Sequence, residues 1–216
     1  MINQVIVIGQ GGHSKVVHDV IKSTPYLEVA GFLDDKYDEL GFRGKYVYGP
    51  VSAAIQLKQS YRNIYFFIAI GSNRVREKIF KKLNLPSESY LSLAHQSAVI
   101  SSSAKIGHGS VIMANVVINA DSQIGNHSII NTSSVVEHDS VVEDFVHLSP
   151  SVTLCGSTVV RNGALVGAGS SVIPGIQIGE WSVIGAGSSV INDISPYCTA
   201  VGVPARETAN QRMQRN

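Results

Sequence analysis

The chain has 216 residues, with 17 Lys and Arg against 16 Asp and Glu and a formal net charge of +1. That balance gives no electrostatic footing for nucleic acid or a charged membrane surface. The longest apolar run, Tyr65 to Ile70, is far too short to span a bilayer. Two cysteines, Cys155 and Cys198, make no disulfide framework and point to a reducing cytoplasm. The opening MINQVIVIGQ reads directly as a strand, without the basic leader and long apolar stretch of a secretory signal.

Composition changes sharply near residue 97. Most Tyr, Phe and Lys lie before it, whereas Ala98 to Ile194 holds only Lys105 and Arg161 as basic residues and only Phe145 and Trp181 as aromatics. Two domains with different packing rules are expected, 1–97 and 98–194, followed by a tail, 195–216, whose Glu207–Asn216 end is expected to fray. In the first domain Gln4 to Ile8 is a continuous apolar run, expected as a buried parallel strand. A glycine-rich turn, Gly9 to His13, leads into a helix capped by Ser14 and running to about Lys22. Leu27 to Leu33 is a second strand ending in Asp34-Asp35, Val51 to Gln59 a helix, Ile64 to Ile70 a third strand and Asn73 to Leu83 another helix. This alternation predicts a small Rossmann-like α/β domain with a parallel sheet.

Ligands of such sheets bind at the carboxyl ends of the strands, here Gly9–His13, Asp34–Asp35 and Gly71–Arg74. Glycines let a phosphate approach the backbone, and a helix start supplies N–H donors. The acidic pair lies where a ribose hydroxyl or base edge could be held. A dinucleotide fingerprint would need a third glycine at position 14, which is Ser. A tight strand-to-helix connection is the plainer reading of the turn.

From Ile100 to Val190 every sixth residue is aliphatic, sixteen positions without a slip. Four residues after each lies a second register, rich in small residues such as Ser110, Ser122, Ser128, Ser134, Ser182 and Ser188. A period of six fits neither a helix nor an alternating strand. It predicts an all-β solenoid with three flat faces, each unit laying down a short strand and a corner, in about five coils that bury an apolar row on one another. The residue before the inward one is often apolar too (Val111, Val117, Ile129, Val135, Val141, Val159, Leu165, Val183), so a flat side of the prism is expected to meet another subunit.

Within this sparsely charged stretch Glu137, Asp139, Glu143 and Asp144 surround His138, which stands two residues past the inward Val136 and so at a corner. A near-neutral imidazole oriented by a carboxylate suits proton removal from an amine. A solvated corner histidine is the alternative for an isolated His. No His/Cys spacing suggests a zinc site, so no metal is expected.

The six-residue pattern resembles the hexapeptide-repeat acyltransferases, whose left-handed parallel β-helix supplies a handedness that the period alone does not fix. Gly11-Gly12-His13 before a helix, the run Phe32-Leu33-Asp34-Asp35, and Ala69-Ile70-Gly71-Ser72-Asn73-Arg74 beside such a repeat narrow the resemblance. They look like the bacterial nucleotide-aminosugar N-acetyltransferases of the PglD/NeuD-like group. The resemblance implies acetyl transfer from acetyl-CoA to the amine of a UDP-linked sugar, with Gly11, Gly12, His13, Asp34, Asp35 and Gly71 holding the nucleotide-sugar. His138 as base, Asp139 and Asn131 match the family's catalytic positions, with Asp where Glu is common. It further implies His147, Gly156, Ala168 and Ala186 as contacts of acetyl-CoA, an interface role being the alternative for His147 and tight corner packing for the other three. A homotrimer with active sites shared between subunits is implied as well. The same-class alternative is a sialic-acid O-acetyltransferase, and the different-class one a nucleotide-sugar-binding scaffold.

Overall fold

The computed structural model describes residues 2–61 and 63–208. In the first domain the strands are β1 (Asn3–Ile8), β2 (Leu27–Leu33), β3 (Gly41–Arg43), β4 (Tyr46–Gly49) and β5 (Ile64–Ile68), with helices α1 (Gly12–Lys22), α2 (Ala53–Ser60) and α3 (Asn73–Leu83). The sheet order is β3-β4-β2-β1-β5, parallel except for the β3–β4 pair. Val5 to Ile8 are fully buried at the sheet's centre, as a continuous apolar run requires. The β3–β4 hairpin breaks the strand–helix alternation. Its short segment, GFRGKYVYG, has neither the length nor the regular spacing that would announce two strands.

The second domain is a three-sided parallel β-helix. Two-residue strands stack eighteen residues apart on three faces. Face one runs from Val99–Ile100 to Ser189–Val190, face two from Lys105–Ile106 to Gln177–Ile178, and face three from Leu93–Ala94 through Val111–Ile112 to Thr199–Gly202. Parallel pairing thus begins at Leu93, ahead of the composition change. It continues past residue 194, because Thr199 pairs with Val183 and Ala205–Glu207 folds back antiparallel on that strand. Glu207 is therefore part of a strand, and 209–216 lie outside the described residues.

Fourteen of the sixteen six-residue positions, Ile112 to Val190, are buried, whereas Ile100 and Ile106 in the first coil are half-buried. A stacked coil covers its neighbour, and an end coil is covered from one side only. The small register does more than fit a crowded corner. Ser110, Ser122, Ser128, Ser134, Ser140 and Ser170 each donate through Oγ to the carbonyl fifteen residues on, so buried hydroxyls tie coil to coil.

Each corner also contains one residue in the left-handed region. Every sixth residue from Gly109 to Gly187 has positive φ, including Asp139 (60°), Phe145 (57°) and Trp181 (52°). Such a residue costs roughly 1–2 kcal/mol when it is not glycine, which the ladder of backbone and serine bonds offsets. Aromatic rings at these positions lie over glycines one coil earlier. An added Cβ at Gly163 would meet the Trp181 ring at 2.4 Å, and one at Gly109 the His127 ring at 2.5 Å.

The two domains are packed tightly together. Val111 and Ile129, expected to face a partner subunit, are 0% and 1% exposed within one chain, in the same apolar cluster as Val17, Val20 and Ile21 of α1. The chain's own first domain covers this part of face three. Val117, Val135, Val141, Val159, Leu165 and Val183 remain half-buried.

Candidate active site

His138 stands on the corner between faces one and two, exposed and away from the domain joint. Its backbone is pinned by Asp139 N donating to Ala120 O on one neighbouring coil and Ser157 N donating to His138 O from the other. The left-handed turn at Asp139 brings its carboxylate back to the ring, so that His138 Nδ1 and Asp139 Oδ2 are 2.8 Å apart. This hydrogen bond, opposed by desolvation and helped by the charges of Asp139 and Glu137, raises the His138 pKa above the usual imidazole value. With Nδ1–H donating to the carboxylate, Nε2 is the free base. Gly156 lies directly beneath: an added Cβ there would sit 2.7 Å from Cε1 and 2.8 Å from Nε2 of His138. Glycine is therefore what lets the ring lie against the coil.

The expected four-carboxylate cluster is not formed around His138. Glu137 accepts from Asn119 Nδ2 on the same corner, but Glu143 and Asp144 belong to the corner between faces two and three. There Glu143 pairs with Arg161 at 2.8 Å and accepts from Asn162 N, while Asp144 Oδ1 accepts from Asn126 N. They fasten successive coils. A separation of five or six residues in a six-residue repeat moves a side chain to the next corner, which proximity in sequence conceals.

Asn131 also stands apart from His138. It lies on the corner between faces three and one, at the opposite edge of face one, with Nδ2 3.1 Å from His147 Nε2. His147 points outward from face three into the domain joint, where its ring is 6.4 Å from that of His13 at the start of α1. Burial, the nearby Arg76 charge and the neighbouring His13 push His147 down to about 4; burial and Arg76 do the same to His13. Both rings are neutral at pH 7. The three small residues expected along acetyl-CoA are split as well. Gly156 shares the His138 corner, whereas Ala168 and Ala186 are exposed on the Asn131 corner.

In the first domain the expected loops do converge at the carboxyl ends of β1, β2 and β5. Asp34 ties the first two together: Oδ2 accepts from Gln10 N at 2.8 Å and Oδ1 from Lys36 N at 3.1 Å. Asp35 Oδ1 accepts from Val51 N at 2.9 Å, and its side chain is exposed. Tyr37 adds a hydroxyl bond to Gln10 Oε1. Around Gly11, Gly12 and Gly71 an added Cβ would meet nothing within 4 Å, so this rim is open to a close-lying ligand.

The third loop has a role the sequence did not announce. Asn73 Nδ2 donates to the carbonyls of Gly163 and Ala164, and Arg74 stacks on Trp181 at 4.6 Å. Arg76, 1% exposed, reaches the carbonyls of His127 and Phe145. Beside it Phe80 and Tyr90 pack on His127 and Phe145, filling the joint with rings; burial first, then Arg76 and His108, push His127 down to about 3. The spacing Asn73-x-x-Arg76 on one helical turn was the available signal, but a solvated helix face is the ordinary home of such residues.

Among the described residues no helix is long and apolar enough to cross a membrane, and no cluster of His, Cys, Asp or Glu is placed to hold a metal ion. Residues 4–83 match the family described as the PglD N-terminal domain, and residues 157–192 match six repeats of the bacterial transferase hexapeptide. A UDP-N-acetylbacillosamine N-acetyltransferase of Bacillus subtilis (strain 168) is 44% identical over 110 residues, 51% of each chain, so the match spans about half the length of that curated relative. A crystal structure of a histidine-to-asparagine variant of perosamine N-acetyltransferase from Caulobacter crescentus, in complex with CoA and GDP-perosamine, is 36% identical. It covers 97% of this chain and 99% of that one, with a TM-score of 0.86. The acetyltransferase domain of PglB from Neisseria gonorrhoeae FA1090, in complex with acetyl coenzyme A, is 29% identical over 96% of this chain and 100% of that one, with a TM-score of 0.82. With a three-sided coil of the left-handed hexapeptide type joined to a PglD-type α/β domain, and a likeness that runs over essentially its whole length, the chain belongs to the PglD-like family of sugar acetyltransferases.

Proposed function

We propose that the protein transfers the acetyl group of acetyl-CoA to the amine of a UDP-linked amino-sugar in bacterial glycan synthesis. The observation that carries this is the His138–Asp139 pair, an exposed imidazole with Nδ1 held at 2.8 Å and Nε2 free. The amine attacks the thioester carbonyl as Nε2 takes its proton. The C–S bond then breaks, and the proton leaves with the CoA sulfur, so His138 returns to the neutral form. Asp139 fixes the tautomer and stabilises the transient imidazolium. The UDP assignment rests on the relative with the higher identity, whose name carries a UDP-sugar. Acetyl-CoA and nucleotide-sugars are cytoplasmic metabolites, and the two unpaired cysteines suit that compartment.

The site is proposed to form between subunits of a trimer. His138 and Gly156 occupy one corner of the prism, and Asn131, Ala168 and Ala186 another. A ligand touching both sets must bridge two chains, and cyclic packing of flat, partly apolar sides brings unlike corners together. His138 of one chain then faces the Asn131–His147–His13 group and the small-residue corner of the next.

In this scheme the first domain binds the nucleotide and the coil binds acetyl-CoA. Asp35→Ala is expected to raise KM for the nucleotide-sugar and leave KM for acetyl-CoA alone. Asp34→Ala is expected to do the same more strongly, because the Gln10 and Lys36 amides lose their acceptor. Steady-state kinetics with each substrate varied separately would check this; an equal rise in both constants would defeat the division of labour.

A further inference from the structure

We infer that Arg76 is a positioning residue for the acceptor half of the site: its guanidinium sets the Gly71 loop and His147 side by side across the domain joint. The inference rests on the reading that Gly71 and His13 face the nucleotide-sugar, and that His147, expected along acetyl-CoA, serves the nucleotide-sugar side instead because its ring lies beside His13. Nε donates to His127 O at 2.6 Å, Nη2 to Phe145 O at 2.9 Å, Asn73 Oδ1 at 2.9 Å and Val146 O at 3.4 Å, and Nη1 to Ile70 O at 2.9 Å and Gly71 O at 3.3 Å. One planar group thus grips the end of the β5 loop on one side and two successive coil corners on the other. Val146, the last of these partners, immediately precedes His147.

What makes this more than interdomain glue is the missing counter-charge. None of these partners is a carboxylate, and the nearby Glu143 and Asp144 are engaged with Arg161, Asn162 and Asn126. Burying a cation against carbonyls alone is expensive, and an apolar contact would join the domains at lower cost. Its distinctive return is geometry, because a rigid fork with five N–H donors fixes distance and angle between the elements it spans. The same charge acts on both substrate-facing histidines; His13 Nε2 is buried without a hydrogen-bond partner among the described residues, and His147 meets the Gly71 backbone. Arg76 therefore sets the place of these rings and favours their neutral state without touching the reacting atoms.

Arg76→Lys tests this, because it keeps a cation but cannot span both sides. KM for the nucleotide-sugar is expected to rise roughly tenfold to a hundredfold, as for a small displacement of binding groups, with KM for acetyl-CoA within about twofold. Amide hydrogen exchange is expected to quicken at Gly71 and His147 and to stay unchanged at Val160 and Val166 in the coil core. Asn73→Ala, which removes one acceptor, is expected to shift the same quantities less and serves if the lysine variant does not fold. A wild-type KM for the nucleotide-sugar, or an equal rise in both constants with faster exchange throughout, would overturn the inference. If the unaltered protein acetylates no nucleotide-sugar, the functional reading fails, but exchange still decides the positioning claim: unchanged rates at Gly71 and His147 overturn it.

Discussion

Replacing His138 with alanine is expected to lower turnover by roughly 10²–10⁴-fold, the usual effect of losing a general base, without unfolding the protein. The side chain is 61% exposed and its corner is held by backbone bonds from both adjacent coils, so little packing is lost. The pH profile supplies a second readout. A base must be neutral to accept a proton, so activity falls as pH drops through the His138 pKa. The Asp139 hydrogen bond raises that pKa, placing the acid limb above the ordinary imidazole value. Asp139→Asn removes the carboxylate charge and weakens that hydrogen bond, the largest cause of the increase. The acid limb is then expected to move to lower pH, with a smaller loss of turnover than in His138→Ala. Stopped assays across the pH range, with circular dichroism for folding, would check both. Near-normal turnover in His138→Ala would remove His138 from the mechanism.

The second large effect is a recovery. His138→Ala disables the base corner, and Ala168→Trp, at an exposed position, blocks the small-residue corner while leaving the base intact. Each homotrimer is expected to be nearly inactive. Closed trimers that contain both chains are expected to regain about a third of wild-type turnover, because one of their three interfaces unites two intact halves. Co-expression with two affinity tags and assay of the doubly purified species would measure this. A mixed oligomer as inactive as its parents would contradict a site shared between chains.

The repeat domain is written openly in the sequence because one geometric constraint recurs every six residues. An inward position must be aliphatic at Val136 as at Val166, and the pattern names the fold and its core. The same periodicity hides which corner a residue occupies. Asn131 and His138 are seven residues apart, yet they stand at opposite edges of a face, and Glu143 and Asp144 are carried to a third corner. The left-handed corner residues were not legible either, since Asp139, Phe145, Ser157 and Gly175 share a backbone conformation but no side-chain property. In the first domain the glycine turn and the acidic pair were visible because strand ends demand turn residues. Their internal bonding was not: besides the ligand contact proposed for it, the Asp34 carboxylate holds the turn at Gln10. Arg76 was the hardest to see: its partners across the joint are backbone carbonyls some fifty to seventy residues away, and carbonyls leave no mark in a sequence.

The central claim, acetyl transfer to a nucleotide-linked amino-sugar, is tested most directly by product analysis. The purified protein would be incubated with acetyl-CoA and a panel of UDP-, GDP- and dTDP-linked amino-sugars, together with free sialic acid, and the products read by mass spectrometry. The expected result is one acetyl group added to the amine of a UDP-linked amino-sugar, with release of one free CoA thiol per product. Acetylation of free sialic acid with no nucleotide-sugar modified would contradict the account.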